Sequence, residues 1–345
     1  MFRQQDLDDT RFPFHGKLFL RLLALSCLVS LAFIAVLGFK ADWDAVFSGL
    51  DARWLAAAVA AMVLLQFISG YRLYRFLPGA RQDGEGQILK SVKVMFLFQA
   101  AIKLLPFRLG EAGFFWLSKR YLDMPFRDSL GVFLGFRIWD LRVVALSFLL
   151  CGGMLLGDAV PGGKPLFAVV SAFGIGVFML SSARLIRLAE YCFRAVFRIT
   201  SFVWSQRLAA SLSEAARTLD QCRSFMNSLA NGVLSIVTWI TFYAVFHCLY
   251  RSLGVDIGWN ATIMVVSGMT LVGIIPIQTL GGIGLLEFGQ ASLLVLAGLT
   301  ATEAAGKSLA AGALFLGLCL GVPALLFLAF GACERMVAGR QTDTP

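Results

Sequence analysis

Leu105-Pro106-Phe107-Arg108-Leu109-Gly110-Glu111 interrupts an apolar region with a proline, a cation, a glycine and a carboxylate in seven residues. Proline removes a backbone donor and glycine weakens a helix, so the hydrogen-bond ladder breaks there. A carboxylate in hydrocarbon is costly unless it lines a cavity enclosed by protein or reached by water. A second stretch repeats the order: Pro276 is followed by Gly281-Gly282-Ile283-Gly284 and then Glu287. A broken helix with buried charge is the usual sequence sign of a membrane transport site. Pro106, Gly110, Pro276, Gly281, Gly282 and Gly284 are therefore the candidate gate and hinge positions.

The surrounding composition sets the class. The chain is 58% hydrophobic and only 15% charged, with a mean hydropathy of +0.78, well above the roughly 45–50% apolar content of soluble domains. An all-α polytopic integral membrane protein is expected. Apolar runs of spanning length occur at 18–39, 54–77, 129–156, 165–183, 231–250 and 307–331, each near or above the roughly 20 residues that a helix needs to cross. These six are firm transmembrane helices. The regions 88–122 and 260–299 each hold two apolar stretches joined at a Pro/Gly motif. They are read as broken helix pairs, either re-entrant or fully spanning, and the recurrence of Pro-Gly-Glu gives weak support to an inverted repeat.

Charge orients the chain. With the N-terminal tail, 72–93, 119–127, 184–223 and the C-terminal tail on one side, that side carries twenty Lys/Arg and the other five. The positive-inside rule then makes the rich side cytoplasmic, with both termini there. The first span is too long for a signal-peptide core, and Gly38-Phe39-Lys40 offers no small-x-small cleavage site, so it reads as a retained anchor. The expected organisation is a tail at 1–17, a membrane domain at 18–331 and a tail at 332–345. Segment 184–230 mixes Arg184, Arg187, Arg194 and Arg198 with Ile186, Phe193, Phe197 and Trp204. Its 184–223 part suits contact with an anionic leaflet, the plain alternative being a solvated connector.

The formal charge of +9 is explained by these loops, and without a zinc-finger or other binding framework it does not indicate nucleic acid. Phosphate-loop, HExxH, GxSxG and Rossmann patterns are absent from the sequence. His15 lies in the N-terminal tail and His247 stands alone in a span, so no metal and no cofactor is expected. The seven cysteines (27, 151, 192, 222, 248, 319, 333) form no CxxC and read as free thiols.

Seven ionisable residues fall inside apolar segments: Lys103, Arg108, Glu111, Arg137, Asp140, Arg142 and Glu287. At roughly 2.5–3.5 kcal/mol per charge at a helix centre, most must pair or face water. They are expected to form one polar constellation. Arg137 and Asp140 are three apart, close enough on one helical face to pair, whereas Arg142 is rotated away and needs another partner or nearby water. The excess of one positive charge favours an anionic ligand such as a lipid phosphate, whose oxygens match the arginine fork. The plain alternative is that these residues tie helices together. Gly131-x-x-x-Gly135 and Gly317-x-x-x-Gly321 read as ordinary close helix packing, and Pro323 as a kink in the last span.

Leu105 to Glu111, followed by Arg137-Ile138-Trp139-Asp140, resembles the first signature of the lysylphosphatidylglycerol synthase transmembrane, or flippase-like, family. Ile275-Pro276 followed by Gly281-Gly282-Ile283-Gly284 and Glu287 resembles its second. The likeness spans about 15–335. It implies a helical membrane domain that, in the best-understood members, moves an aminoacylated phospholipid between leaflets. Other members handle lipids, hopanoids or lipid-linked glycans as single-domain proteins.

Two departures matter. Aminoacylating members carry a large soluble catalytic domain after the membrane region, whereas this sequence ends fourteen residues beyond Gly331, so lysyl-lipid synthesis is not expected. Lys103 stands where the family pattern leads one to expect a small polar residue, often Asn, which points to a different head group. The resulting expectation is a lipid or lipid-linked head-group translocase of the cytoplasmic membrane. Lys103, Arg108 and Arg137 would hold the phosphate, Glu111 and Asp140 would orient them, and Glu287 with the glycine loop would form the opposing gate. The alternatives are a membrane-embedded transferase using a lipid-linked donor, or a scaffold for lipid- or glycan-synthesis enzymes.

Overall fold

The computed structural model describes residues 50–77, 85–104, 109–156, 225–273 and 285–342, with isolated positions between 165 and 176. The motif residues Pro106, Arg108, Pro276, Gly281, Gly282 and Gly284, the span expected at 18–39, most of that expected at 165–183, and the segment 184–223 lie outside the described residues. Among the described residues all regular structure is helical. The helices are α1 (Ala52–Phe76), α2 (Glu85–Leu104), α3 (Leu109–Leu122), α4 (Phe126–Leu156), α5 (Phe225–Ser252), α6 (Trp259–Val272), α7 (Leu285–Leu296) and α8 (Ala301–Thr342).

Four of these helices are long and apolar enough to cross a bilayer: Ala52–Phe76, Asp128–Leu155, Ala230–Ser252 and Ala301–Leu326. They coincide with the runs expected at 54–77, 129–156, 231–250 and 307–331. This is a multi-pass helical membrane protein. Two boundaries differ from the sequence reading. Helix α5 begins at Phe225, inside the stretch assigned to the cytoplasmic segment 184–230. Helix α8 begins at Ala301 and continues through Pro323. The outward faces carry Leu64, Phe67, Leu150, Met154, Ile236, Ile240 and Leu325, an exposed apolar perimeter suited to lipid.

Both interrupted regions form antiparallel hairpins. In the first, Phe98 of α2 meets Phe114 of α3 with ring centroids 5.2 Å apart, and Lys93 lies over the Tyr121 ring at 5.3 Å, so residues farther from the break pair farther from the tip. In the second, Gly273 at the end of α6 faces Leu286 of α7, Val272 faces Gly289, and Gly268 faces Leu293. Helices α3 and α6 have 14 residues each and α7 has 12. At about 1.5 Å per residue they extend about 18–21 Å, short of a hydrocarbon core of about 30 Å.

The contacts between helices give their directions. The Asp51 N–H that precedes α1 donates to the Ser252 carbonyl at the end of α5 (2.8 Å), while Arg72 near the end of α1 reaches Asp140 of α4. Phe246 of α5 packs on Phe315 of α8 at 4.7 Å. One end of the bundle therefore holds the start of α1, the end of α5, the start of α6, the end of α7 and the start of α8. The other holds the end of α1, the start of α2, the end of α3 and the start of α4. The α2/α3 hairpin projects from this second end and the α6/α7 hairpin from the first.

The core divides accordingly. A large cluster centred on Phe246, Leu249, Tyr250, Met264, Leu294 and Ala311 unites α1, α5, α6, α7 and α8. A smaller one built on Leu73, Phe98, Phe114 and Phe136 holds the first hairpin against α1 and α4.

Candidate functional site

The first hairpin tip closes because Gly110 has no side chain. A Cβ at Gly110 would lie 2.6 Å from the Ala101 carbonyl carbon and closer still to the Ile102 Cα, so backbone touches backbone there. Gly110 thus brings Glu111 to the head of α3, on the side of the hairpin that meets α4.

Glu111 Oε1 accepts a hydrogen bond from Arg137 Nη2 at 2.7 Å; the arginine is 46% exposed and the glutamate 23%. The Arg137 guanidinium also lies 5.1 Å from the Phe133 ring centre. One turn along α4, Asp140 Oδ1 accepts from Arg72 Nη1 at 2.7 Å, with Arg72 only 4% exposed and Asp140 24%. Arg72 also donates to the Phe136 carbonyl at 3.3 Å and stacks on the Phe136 ring at 4.4 Å. The expected Arg137–Asp140 pair is therefore replaced by two pairs that cross between helices. Residues three apart share a helical face only broadly, and here Arg137 turns to α3 while Asp140 turns to α1.

Arg72 is the member of this charge cluster that the sequence reading missed, because it was counted with the basic connection 72–93. A signal was present: Gln66, Ser69 and Arg72 recur at three-residue spacing in an apolar span, and all three are buried. Adding Arg72 to the seven residues singled out above makes five cations and three anions in that set.

The remaining charges sit elsewhere. Arg142 is 5% exposed, with its guanidinium 4.9 Å from the Trp139 ring centre. Lys103 places its ammonium 4.8 Å from the Phe315 ring centre. Glu287 is 6% exposed and its carboxylate rests on Gly312, where a Cβ would lie 3.0 Å from the glutamate Cδ. Gly312 and Phe315 are three apart on α8, so one helical face receives Lys103 from the first hairpin and Glu287 from the second. The single constellation expected from sequence is thus two paired sites on α4 and a meeting of both hairpins on α8.

Gly317 and Gly321 do not pack closely on any described residue, since a Cβ at either would meet nothing within 4 Å. The packing expected of that pair finds no partner among the described residues. The close approach belongs to Gly312 instead, and to Gly70 of α1, where a Cβ would lie 2.9 Å from Val92 Cβ. Cys151, Cys248 and Cys319 are free thiols. Among the described residues no three His, Cys, Asp or Glu side chains gather in a way that could hold a metal ion.

The family model for the lysylphosphatidylglycerol synthase TM region matches residues 23–322. The chain belongs to this family. A curated relative from Methanothermobacter thermautotrophicus, called UPF0104 membrane protein, is 27% identical over 294 residues, covering 80% of this chain and 82% of the relative. No solved structure matches. Family membership agrees with the resemblance read from the two signatures and places both hairpins, α4 and the first half of α8 within the matched region.

Gly312→Ala tests the α8 meeting point. The added methyl must displace the Glu287 side chain, which can rotate, so the expected result is a protein that still elutes as a folded species but unfolds at a lower temperature in detergent. An unchanged unfolding temperature would show that Glu287 does not depend on close approach to Gly312.

Proposed function

We propose that this chain translocates a phospholipid or a lipid-linked head group between the leaflets of the cytoplasmic membrane. The supporting observation is the Arg137–Glu111 pair, half-exposed beside the buried Arg72–Asp140 pair. A guanidinium that already holds a carboxylate in a bidentate-capable fork can exchange that anion for a phosphate with little rearrangement. Arg137 and Arg108 hold the phosphate, Glu111 and Asp140 orient the cations or meet a cationic head group, and Lys103, whose ammonium rests over the Phe315 ring of α8, joins them by leaving that ring as the lipid moves. Glu287 with the Gly281–Gly284 loop acts as the opposing gate.

In this reading the chain has six transmembrane helices and two re-entrant hairpins. Helix α1, the first hairpin and α4 form one unit, and α5, the second hairpin and α8 form an inverted counterpart. The short described arms α3, α6 and α7 and the opposite directions of the two hairpins support this arrangement, and inverted units with broken helices suit alternating access to a central site. Loop charge puts the Leu122 end and both termini in the cytoplasm. The 184–223 segment then lies on the anionic leaflet, where lipid- or glycan-synthesis enzymes are the natural partners.

The test is leaflet exchange of fluorescent anionic, zwitterionic and aminoacylated phospholipids in proteoliposomes, comparing wild type with Arg137→Ala and Glu111→Gln. Exchange by wild type that both variants lose is expected. Exchange no faster than in protein-free vesicles across the panel, from well-folded protein, would overturn the proposal.

A further inference from the structure

Met62, Gln66, Ser69 and Leu73 follow one another at four-, three- and four-residue spacing on α1, so they share its inward face, while Leu64 and Phe67 turn outward. Met62 belongs to the large apolar cluster and Leu73 to the smaller one. Gln66 and Ser69 therefore occupy the junction between the two clusters on α1, and Arg72 of the Arg72–Asp140 pair lies one turn beyond Ser69. Gln66 is 1% exposed. Neither the oxygen nor the nitrogen of its amide has a hydrogen-bond partner among the described residues, and the same is true of Arg72 Nε. On α5 the Ser235 hydroxyl and the Trp239 indole N–H are likewise buried and without a hydrogen-bond partner among the described residues. The two helices run antiparallel from the Asp51–Ser252 contact of 2.8 Å. At about 1.5 Å per residue, Gln66 stands about 22 Å along α1 from that contact, and Trp239 and Ser235 about 20 and 26 Å along α5, so all three lie at one depth of the bundle.

A buried amide with neither end bonded destabilises the folded state, and an apolar side chain of similar length, such as methionine, would fill the same space without that cost. Packing alone therefore does not account for a glutamine at this position. We propose that Gln66 is the contact for the uncharged polar part of a lipid head group, that the two meet when the apolar clusters part at their junction, and that this head group carries hydroxyls. This deepens the translocation reading above and rests on it.

The chemistry of the amide selects the head group. An amide both donates and accepts, and so does a hydroxyl, so a glycerol or a sugar satisfies both ends of Gln66. An ammonium only donates, which leaves the amide nitrogen unbonded inside the protein. Arg72 stands about 9 Å farther along α1, beside the charges that hold the phosphate. Phosphate and hydroxyls are thus met by successive turns of one helix, with the Ser69 hydroxyl between them.

The experiment compares phosphatidylglycerol with phosphatidylpropanol, which has the same charge and lacks the hydroxyls. Thermal unfolding of the full chain in detergent is followed with short-chain forms of each lipid, beside leaflet exchange of each in vesicles, for wild type and Gln66→Met. Without lipid, Gln66→Met is expected to unfold about 2–4 °C higher, because the unbonded amide is gone. Wild type should be stabilised more by phosphatidylglycerol than by phosphatidylpropanol and should exchange it about fivefold faster, and the variant should lose both preferences. A lower unfolding temperature for Gln66→Met would mean that the amide holds helices together, and would overturn the proposal. A wild type without preference, or a preference that survives in the variant, would overturn it while leaving translocation standing wherever exchange is seen. A binding preference that depends on Gln66, found without exchange by the wild type, would support the head-group contact while overturning the translocation reading.

Discussion

Arg72→Ala is expected to reduce the yield of folded protein sharply and to abolish lipid exchange in what remains. The substitution leaves Asp140 without its 2.7 Å partner and empties the space over the Phe136 ring. Removing one member of a fully buried ion pair costs about 3–5 kcal/mol, and the cost here is smaller than that because Asp140, the charge left behind, is 24% exposed. Replacing both members with apolar residues, as in Arg72→Met with Asp140→Leu, removes that stranded charge. The double variant should recover much of the lost stability but not exchange. Thermal unfolding in detergent, followed by tryptophan fluorescence, reads the first effect, and the vesicle assay reads the second. Recovery of both by the double variant would mean that the pair serves only to hold α1 against α4.

Gly110→Ala is expected to be the more damaging of two glycine changes one turn apart. A methyl at Gly110 would meet the backbone of Ala101 and Ile102, with the Ala101 carbonyl carbon 2.6 Å away, and backbone cannot rotate aside. The α2/α3 hairpin must open, which moves Glu111 away from Arg137. At Gly113 the same methyl would rest 3.5 Å from the Ala101 Cβ, an ordinary contact. Gly113→Ala should therefore retain fold and exchange while Gly110→Ala loses both, as judged by monodispersity and the vesicle assay. Equal tolerance of the two substitutions would show that the tip is not closely packed.

Much of the fold was legible in the sequence because crossing a membrane is a local requirement. A run such as 231–250 must be apolar whatever its neighbours, so hydropathy finds α5 without knowledge of α1 or α8. The hairpins were legible for a similar reason: proline and glycine disfavour a helix by local chemistry, so Pro106 and Pro276 with their glycines marked the two regions whose flanking helices pair antiparallel. The helix ends were less visible. Helix α5 starts at Phe225, before the apolar run begins, since a helix can extend into polar sequence without penalty.

The site was legible as a set of residues but not as a set of partners. Glu111 and Arg137 are 26 residues apart and Arg72 and Asp140 are 68 apart, so no spacing rule connects them. The local rule suggested Arg137 with Asp140, and it failed because neighbouring helices offered each a better-placed opposite charge. Gly312 was likewise invisible, as its value depends on Glu287 arriving from another helix.

By itself the sequence determined that the chain is a helical membrane protein, where its helices break, and which charges must be sheltered. Each of these follows from the cost of exposing polar groups to hydrocarbon, which is counted residue by residue along the chain. Only the tertiary structure decided that Arg72 belongs to the site, that the charges pair across helices, and that the two hairpins meet on one face of α8. Those outcomes depend on which helices become neighbours, and that is settled by packing distant segments together.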